Sequence, residues 1–274
     1  MTQTAVLFPG QGSLTSDAGD LARGACPELV EQAIAIVGSD PFERAHESTE
    51  YAQPAIFLAS IAGWRERDVP DVVAMAGHSL GELSVLAAAG AVAVEDALRL
   101  VALRGRLMQA AAAKGDEGGM VALLGGDPAD AERLAHHHGL AIANDNAPGQ
   151  LVLSGPLAAI EEAAAIASAE ADARARVLDV GGAFHSRLME PAADDLRAAL
   201  DDTPVAPQRF PVYSNGTAAP FGDVRAELAE NLLRPVRWRE TLLALRAAGV
   251  ERFVELGPGA VLAGLVKRTL RAAA

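Results

Sequence analysis

The stretch Gly77-His78-Ser79-Leu80-Gly81 restricts what this chain can fold into more than any other. An apolar run, Val72-Val73-Ala74-Met75-Ala76, precedes it, and a helix-forming stretch, Glu82 to Ala89, follows it. A strand, a Gly-x-Ser-x-Gly turn and a helix make a nucleophile elbow, whose strained turn pushes the serine hydroxyl out at a helix N-terminus. A side chain at Gly77 or Gly81 would clash where strand and helix nearly touch. Ser79 is therefore the candidate nucleophile.

A hydroxyl needs a base, and the chain offers six histidines: His46, His78, His136, His137, His138 and His185. His78 adjoins Ser79 and is expected to point away from its hydroxyl. His46 lies in a polar stretch ahead of the elbow strand. The run His136-His137-His138 ends an expected helix before Gly139. Its side chains splay by about 100° per residue, which suits neither one metal nor one catalytic face. A solvated helix C-terminus, favoured by the dipole, accounts for them better. His185 remains, in Gly181-Gly182-Ala183-Phe184-His185-Ser186, directly after an expected strand over 175–180. Glycines there suit a backbone that delivers an imidazole into a crowded pocket.

Arg104 is the third candidate. A helix over 95–112 aligns Ala97, Leu100, Val101, Leu107 and Met108 in one stripe with Arg104 in its middle, while Glu95, Arg99 and Arg106 lie opposite. A guanidinium centred on an apolar face needs a partner, because an unpaired buried charge is costly. Either an internal carboxylate or an anionic ligand supplies it. The planar fork of arginine suits two-point capture of a carboxylate.

Periodicity outlines the architecture. Residues 4–8 read as a buried strand, and 21–37 and 52–67 as helices, before the elbow and the Arg104 helix. After Gly119 the pattern changes to strand 120–124, helix 128–138, strands 140–143 and 151–154, helix 156–169 and strand 175–180. That order, βαββαβ, is a ferredoxin-like unit. Lys114 to Gly119 forms the first linker, and Gly181-Gly182 the return. A strand over 252–256 and a final helix rejoin the first sheet. The expected organisation is a large α/β domain over 1–116 and 187–274, with a small inserted domain over 117–186. His185 then stands at their junction, facing Ser79 across a cleft, where small ligands preferentially bind.

The charge balance, 36 acidic against 23 basic residues for a net −13, argues against a nucleic-acid partner. The single cysteine, Cys26, excludes an internal disulfide and suits a reducing cytoplasm. The start Met1-Thr2-Gln3-Thr4-Ala5 carries no basic n-region, so no secretory signal is expected. The weakly polar stretch 83–94 is too short and too Gly-broken to span a bilayer.

Five motifs now carry a resemblance: Phe8-Pro9-Gly10-Gln11-Gly12-Ser13, Gly77-His78-Ser79-Leu80-Gly81-Glu82, Leu103-Arg104-Gly105, Ala183-Phe184-His185-Ser186 and Glu255-Leu256-Gly257-Pro258-Gly259. In this order the chain resembles the malonyl-CoA:acyl carrier protein transacylase family over essentially its whole length. The resemblance implies an α/β-hydrolase-like large domain with a parallel sheet plus the ferredoxin-like insert. It implies a ping-pong acyl transfer through a malonyl-Ser79 ester, with His185 as general base. The backbone N–H groups of Gln11 and Leu80 would form the oxyanion hole, and Arg104 would pair with the malonyl carboxylate. A backbone carbonyl, that of Asn231 or a neighbour, would orient His185 in place of an acidic third member. Phe184, in Gly-Ala-Phe-His, is similar to the pattern of malonyl-selective polyketide acyltransferases and would fill the space of an α-methyl group.

The implied partners are malonyl-CoA and an acyl carrier protein, with no cofactor, metal, nucleic acid or membrane, and a monomeric cytoplasmic enzyme. Carrier proteins are acidic, so a local basic patch is required despite the global sign; Arg234, Arg237, Arg239, Lys267, Arg268 and Arg271 are candidates. Leu14 and the tract Thr15 to Gly19 depart from the family pattern at the N-terminal pocket wall. The competing readings are an esterase or acyl hydrolase using the same Ser-His pair, an editing hydrolase of uncharged acyl groups, and a non-catalytic module. An esterase normally places its His late, after an acid, and leaves Arg104 without a role.

Overall fold

The computed structural model describes residues 2–114 and 117–273. The first half runs β1 (Thr4–Phe8), α1 (Ala18–Ala25), α2 (Pro27–Val37), α3 (Pro41–Arg44), α4 (Thr49–Glu66), β2 (Val72–Gly77), α5 (Gly81–Ala88) and α6 (Val94–Lys114). Next come β3 (Gly118–Gly125), α7 (Pro128–His137), β4 (Ala141–Ala147), β5 (Gln150–Pro156), α8 (Leu157–Glu170) and β6 (Ala173–Val177). A 3-10 turn at Arg187–Met189 then leads to α9 (Glu190–Asp201), β7 (Val212–Tyr213), α10 (Val224–Glu230), α11 (Trp238–Ala247), β8 (Arg252–Glu255) and α12 (Val261–Ala272). The architecture is α/β, with two separate sheets.

The larger unit is built on a parallel sheet of order β7-β2-β1-β8. Strand alternation divides its side chains between two cores. Val6, Phe8 and Met75 enter one apolar cluster with Ile56, Phe57, Leu86 and Val101. Ala5, Leu7, Ala74 and Ala76 enter another with Trp238, Leu242 and Leu262. Burial on both faces explains why these strands read as continuous apolar runs.

The smaller sheet has the order β4-β5-β3-β6 and is antiparallel throughout. With α7 and α8 between its strands, this is the ferredoxin-like arrangement. Its own core gathers Val121, Leu123, Leu134, Leu153 and Ile160. Edge strand β4 is tied to the larger unit by Val236, whose N–H donates to Ala143 O at 2.8 Å and whose carbonyl accepts from Asp145 N–H at 2.9 Å. Arg239 adds an ion pair to the Asp145 carboxylate at 2.7 Å.

Three expectations are corrected. The helix expected over 21–37 is two helices, α1 and α2, because Pro27 has no N–H to donate and forces Cys26 out of the helical region, to φ −150°. The strand expected over 175–180 spans Ala173–Val177, so a longer loop carries the chain to His185. The strand expected over 140–143 extends to Ala147, through polar residues that meet the larger unit. The linker expected at 114–119 includes residues 115 and 116, which lie outside the described residues. Among those described, no helix is long and apolar enough to cross a membrane.

Candidate active site

Ser79 occupies the turn between β2 and α5 with φ of 50°, a left-handed conformation that a non-glycine residue holds only under constraint. The constraint is visible on both sides. A Cβ added to Gly77 would lie 2.0 Å from the Gly81 carbonyl carbon, and one added to Gly81 would lie 2.3 Å from Phe8 O. Strand and helix therefore close on each other as only glycines permit. The N–H of Ser79 donates to Asn215 Oδ1 at 2.6 Å, and Asn215 Nδ2 donates to Gly77 O at 2.7 Å. One asparagine side chain thus clasps the elbow across its base.

The two triad-like partners meet. Ser79 Oγ lies 2.8 Å from His185 Nε2. On the other side of the ring, Nδ1 faces two carbonyls, Asn231 O at 2.8 Å and Arg234 O at 3.1 Å. Carbonyls only accept, so Nδ1 carries the proton and Nε2 presents its lone pair to the serine hydroxyl. Burial pushes the imidazole down to about 3, helped by the Arg104 charge and opposed by the two carbonyls. The ring is neutral at physiological pH and able to accept a proton. His185, like Ser79, has a left-handed backbone, with φ of 57°.

Arg104 reaches the same point from α6. It is 5% exposed, and its Nη2 donates to Ser79 Oγ at 3.1 Å while Nη1 donates to Gln53 Oε1 at 2.7 Å. A close helix contact makes this possible: a Cβ on Gly105 would sit 2.9 Å from Thr49 O in the first turn of α4. Among the described residues no carboxylate forms an ion pair with Arg104. Burial lowers its titration to about 10, and Glu82 is the acid that opposes this. Burial in turn pushes the Glu82 carboxyl up to about 8, which weakens the counter-charge it offers the guanidinium. The two alternatives for Arg104 are thereby narrowed towards a guanidinium with room for an external anion.

Other expected residues are placed as follows. Leu80 is buried and precedes α5, so its N–H is at a helix N-terminus beside Ser79. The loop bearing Gln11 is drawn to the elbow by the His78 N–H, which donates to Phe8 O at 2.9 Å. The Gln11 Oε1 accepts from Thr49 Oγ1 at 3.1 Å. Phe184 is buried in the larger core, 6% exposed. It is not among the residues lining the closed space below the serine. That space, about 10 Å³, is lined by Ser79, Glu82, Leu83, Arg104, Leu196, Leu200, Leu228 and Leu232, and holds roughly one water. His78 turns away from the hydroxyl: its Nε2 donates to Asn146 Oδ1 at 2.8 Å and its ring packs edge-on against Trp238. Of the expected basic patch, Arg234, Arg237 and Arg239 are each paired with an acid, Glu230, Glu240 and Asp145, and so form no free cationic cluster.

Four residues to which the sequence reading gave no role complete the site. Gln53 and Thr49 link Arg104 to Gln11, with Gln53 Nε2 donating to Thr49 Oγ1 at 2.9 Å. A glutamine at the head of the apolar run 54–62 carried the same signal that singled out Arg104, a polar group on a buried face. Asn215 and Glu82 had no local signal, because their partners are more than a hundred residues away.

Comparison with known proteins agrees with this geometry. Residues 33–274 match the acyl transferase domain family. The malonyl CoA-acyl carrier protein transacylase of Bacillus subtilis is 40% identical over 294 residues, covering 99% of this chain and 92% of that protein. The polyketide biosynthesis protein ThaF of Burkholderia thailandensis is 39% identical over 282 residues; the chain spans about a quarter of it, 24%. A malonyl-transacylase solved in complex with its type II PKS acyl-carrier protein superposes with a TM-score of 0.90 at 35% identity, covering 98% of this chain and 94% of that one. The chain belongs to the acyl transferase domain family, and within it to the malonyl-CoA:acyl carrier protein transacylases.

Proposed function

We propose that this protein transfers a malonyl group from malonyl-CoA to the phosphopantetheine thiol of an acyl carrier protein, in fatty-acid or polyketide biosynthesis. The observation that carries the reading is the convergence on one point of Ser79, His185 and a buried Arg104 that has no ion-pair partner among the described residues. In the first half-reaction His185 Nε2 takes the Ser79 proton as Oγ attacks the thioester carbonyl, and the imidazolium returns it to the departing CoA sulfur. The oxyanion lies against the backbone N–H groups of Gln11 and Leu80. The second half-reaction reverses these steps with the carrier thiol as nucleophile.

Arg104 selects the acyl group by charge. A malonyl carboxylate paired with the guanidinium would compete for the bond Arg104 now gives Ser79 Oγ and would offset the part of the His185 depression that comes from the Arg104 charge. The space beside Ser79 and Arg104 has room for about one water, so the acyl group must displace side chains or lie above it, and Phe184, buried next to His185, is proposed to disfavour α-substituents. Asn231 and Arg234 orient the imidazole through their carbonyls, and no cofactor or metal takes part. The reading takes 117–186 as the inserted domain and the enzyme as a cytoplasmic monomer.

Intact-protein mass after incubation with malonyl-CoA tests the reading. The protein should gain one malonyl unit, and Ser79→Ala should gain none; an adduct on the Ser79→Ala variant removes the serine from its role. Rapid release of free malonate without loading of a carrier protein would instead identify a hydrolase.

A further inference from the structure

Glu82 lies in the first turn of α5, 3% exposed, and hydrogen-bonds neither the serine hydroxyl nor the imidazole. Its Oε1 accepts two hydrogen bonds from separate segments. One comes from the Asn215 backbone N–H at 2.7 Å, and the other from Asn231 Nδ2 at 2.9 Å. Each partner holds one half of the site. Asn215 clasps the Ser79 N–H and the Gly77 carbonyl with its side chain. Asn231 offers its backbone carbonyl to His185 Nδ1. Asn231 Nδ2 also reaches Glu82 Oε2 at 3.2 Å and Ser214 Oγ at 3.0 Å, so its two hydrogens are taken up by the carboxyl and the hydroxyl.

We infer that Glu82 is a positioning residue for the acyl transfer, one buried oxygen fixing both the serine elbow and the carbonyl that aims the imidazole. The inference rests on Ser79 and His185 acting as nucleophile and base. A carboxyl buried this deeply is costly unless its bonds serve the fold or the site. The charged groups facing it are Arg104 from α6 and Glu227 from α10. Arg104 forms no ion pair with it among the described residues and Glu227 is a like charge, so its bonds go to the two asparagines. Buried bonds of this kind transmit small displacements, and misplacing reacting atoms by about 1 Å can cost roughly a hundred-fold in rate.

The test uses a fluorophosphonate that labels activated serines, so its outcome does not depend on the acyl group. Glu82→Ala should label about a hundred-fold more slowly than the parent. Glu82→Gln keeps an Oε1 acceptor for both asparagine donors and should recover most of the rate. Asn231→Ala leaves the carbonyl in place but cuts its tie to Glu82, and should be slowed with little change in thermal midpoint. In a His185→Ala background, Glu82→Ala should cost much less, because part of its effect passes through the imidazole. Parent-like labelling of Glu82→Ala, or Glu82→Gln as slow as Glu82→Ala, overturns the inference. Should Glu82→Ala fail to fold, Asn231→Ala decides alone: parent-like labelling overturns it, slow labelling sustains it. If the parent protein labels but is not loaded by malonyl-CoA, the substrate assignment fails while the positioning role stands.

Discussion

The serine half and the imidazole half of the site solve one problem in different ways. Both place a non-glycine residue in the left-handed region, Ser79 at φ 50° and His185 at φ 57°. Ser79 is strained between two regular elements that touch, and the whole fold must be in place for the turn to exist. His185 sits in a loop between β6 and a 3-10 turn, and its ring is fixed by carbonyls from another segment, Asn231 and Arg234. The first half is held by backbone packed on backbone with Asn215 as a clasp; the second depends chiefly on hydrogen bonds to its ring. Damage to the serine half should therefore appear as lost stability, and damage to the imidazole half as lost rate in a folded protein.

The sharpest break is His185→Ala. Acylation by malonyl-CoA should slow by about a thousand-fold, within the usual worth of a general base, with the thermal midpoint little changed. A burst of acyl-enzyme at the parent rate would remove the imidazole from the reaction. On the serine side, Gly77→Ala must push a Cβ into the Gly81 carbonyl and should cost about 3 kcal/mol of stability, read by denaturant unfolding. Its counterpart Gly181→Ala, where the nearest atom to an added Cβ is Gln109 Nε2 at 3.8 Å, should stay within about 0.5 kcal/mol. Equal losses for the two would erase the contrast between the halves.

Arg104 stands between the halves, bonded to Ser79 Oγ and depressing His185. Arg104→Ala should lower malonyl loading relative to acetyl loading by about ten- to a hundred-fold, the worth of a charged hydrogen bond. The same change removes a cation beside the imidazole, so the His185 titration, followed by NMR, should move up. An unchanged malonyl-to-acetyl ratio would make Arg104 a structural residue.

This contrast also explains what the sequence could reveal. The elbow is local: strand, two glycines, serine and helix fall within eighteen residues of 72–89, and each contributes a separate constraint. Arg104 was legible because helical winding sets it on an apolar stripe. His185 emerged only by elimination among six histidines, and its strand was placed too late, since β6 ends at Val177. Asn215 was invisible and Glu82 entered only as the end of the elbow motif, because a hydrogen bond between residues 133 apart leaves no pattern in either neighbourhood. Pro27 did carry a local signal, the break between α1 and α2, and the apolar periodicity running through it masked that signal.

The finest probe of the comparison is the pH dependence of stability, because the imidazole and the carboxyl that ties both halves together are buried and shifted in opposite senses. His185 is lowered from its ordinary 6.5 to about 3, mainly by burial. The unfolded chain therefore binds its proton more readily, and stability present above 6.5 is lost as pH falls towards 3. Glu82 is raised from 4.5 to about 8, again mainly by burial. Here the folded chain binds the proton more tightly, so stability present below 4.5 is lost as pH rises towards 8. His185→Ala should flatten the acid limb of a plot of unfolding free energy against pH, and Glu82→Gln the alkaline limb. If one substitution flattens both limbs, the two groups titrate as a single coupled unit, and the division into a serine half and an imidazole half fails at the electrostatic level.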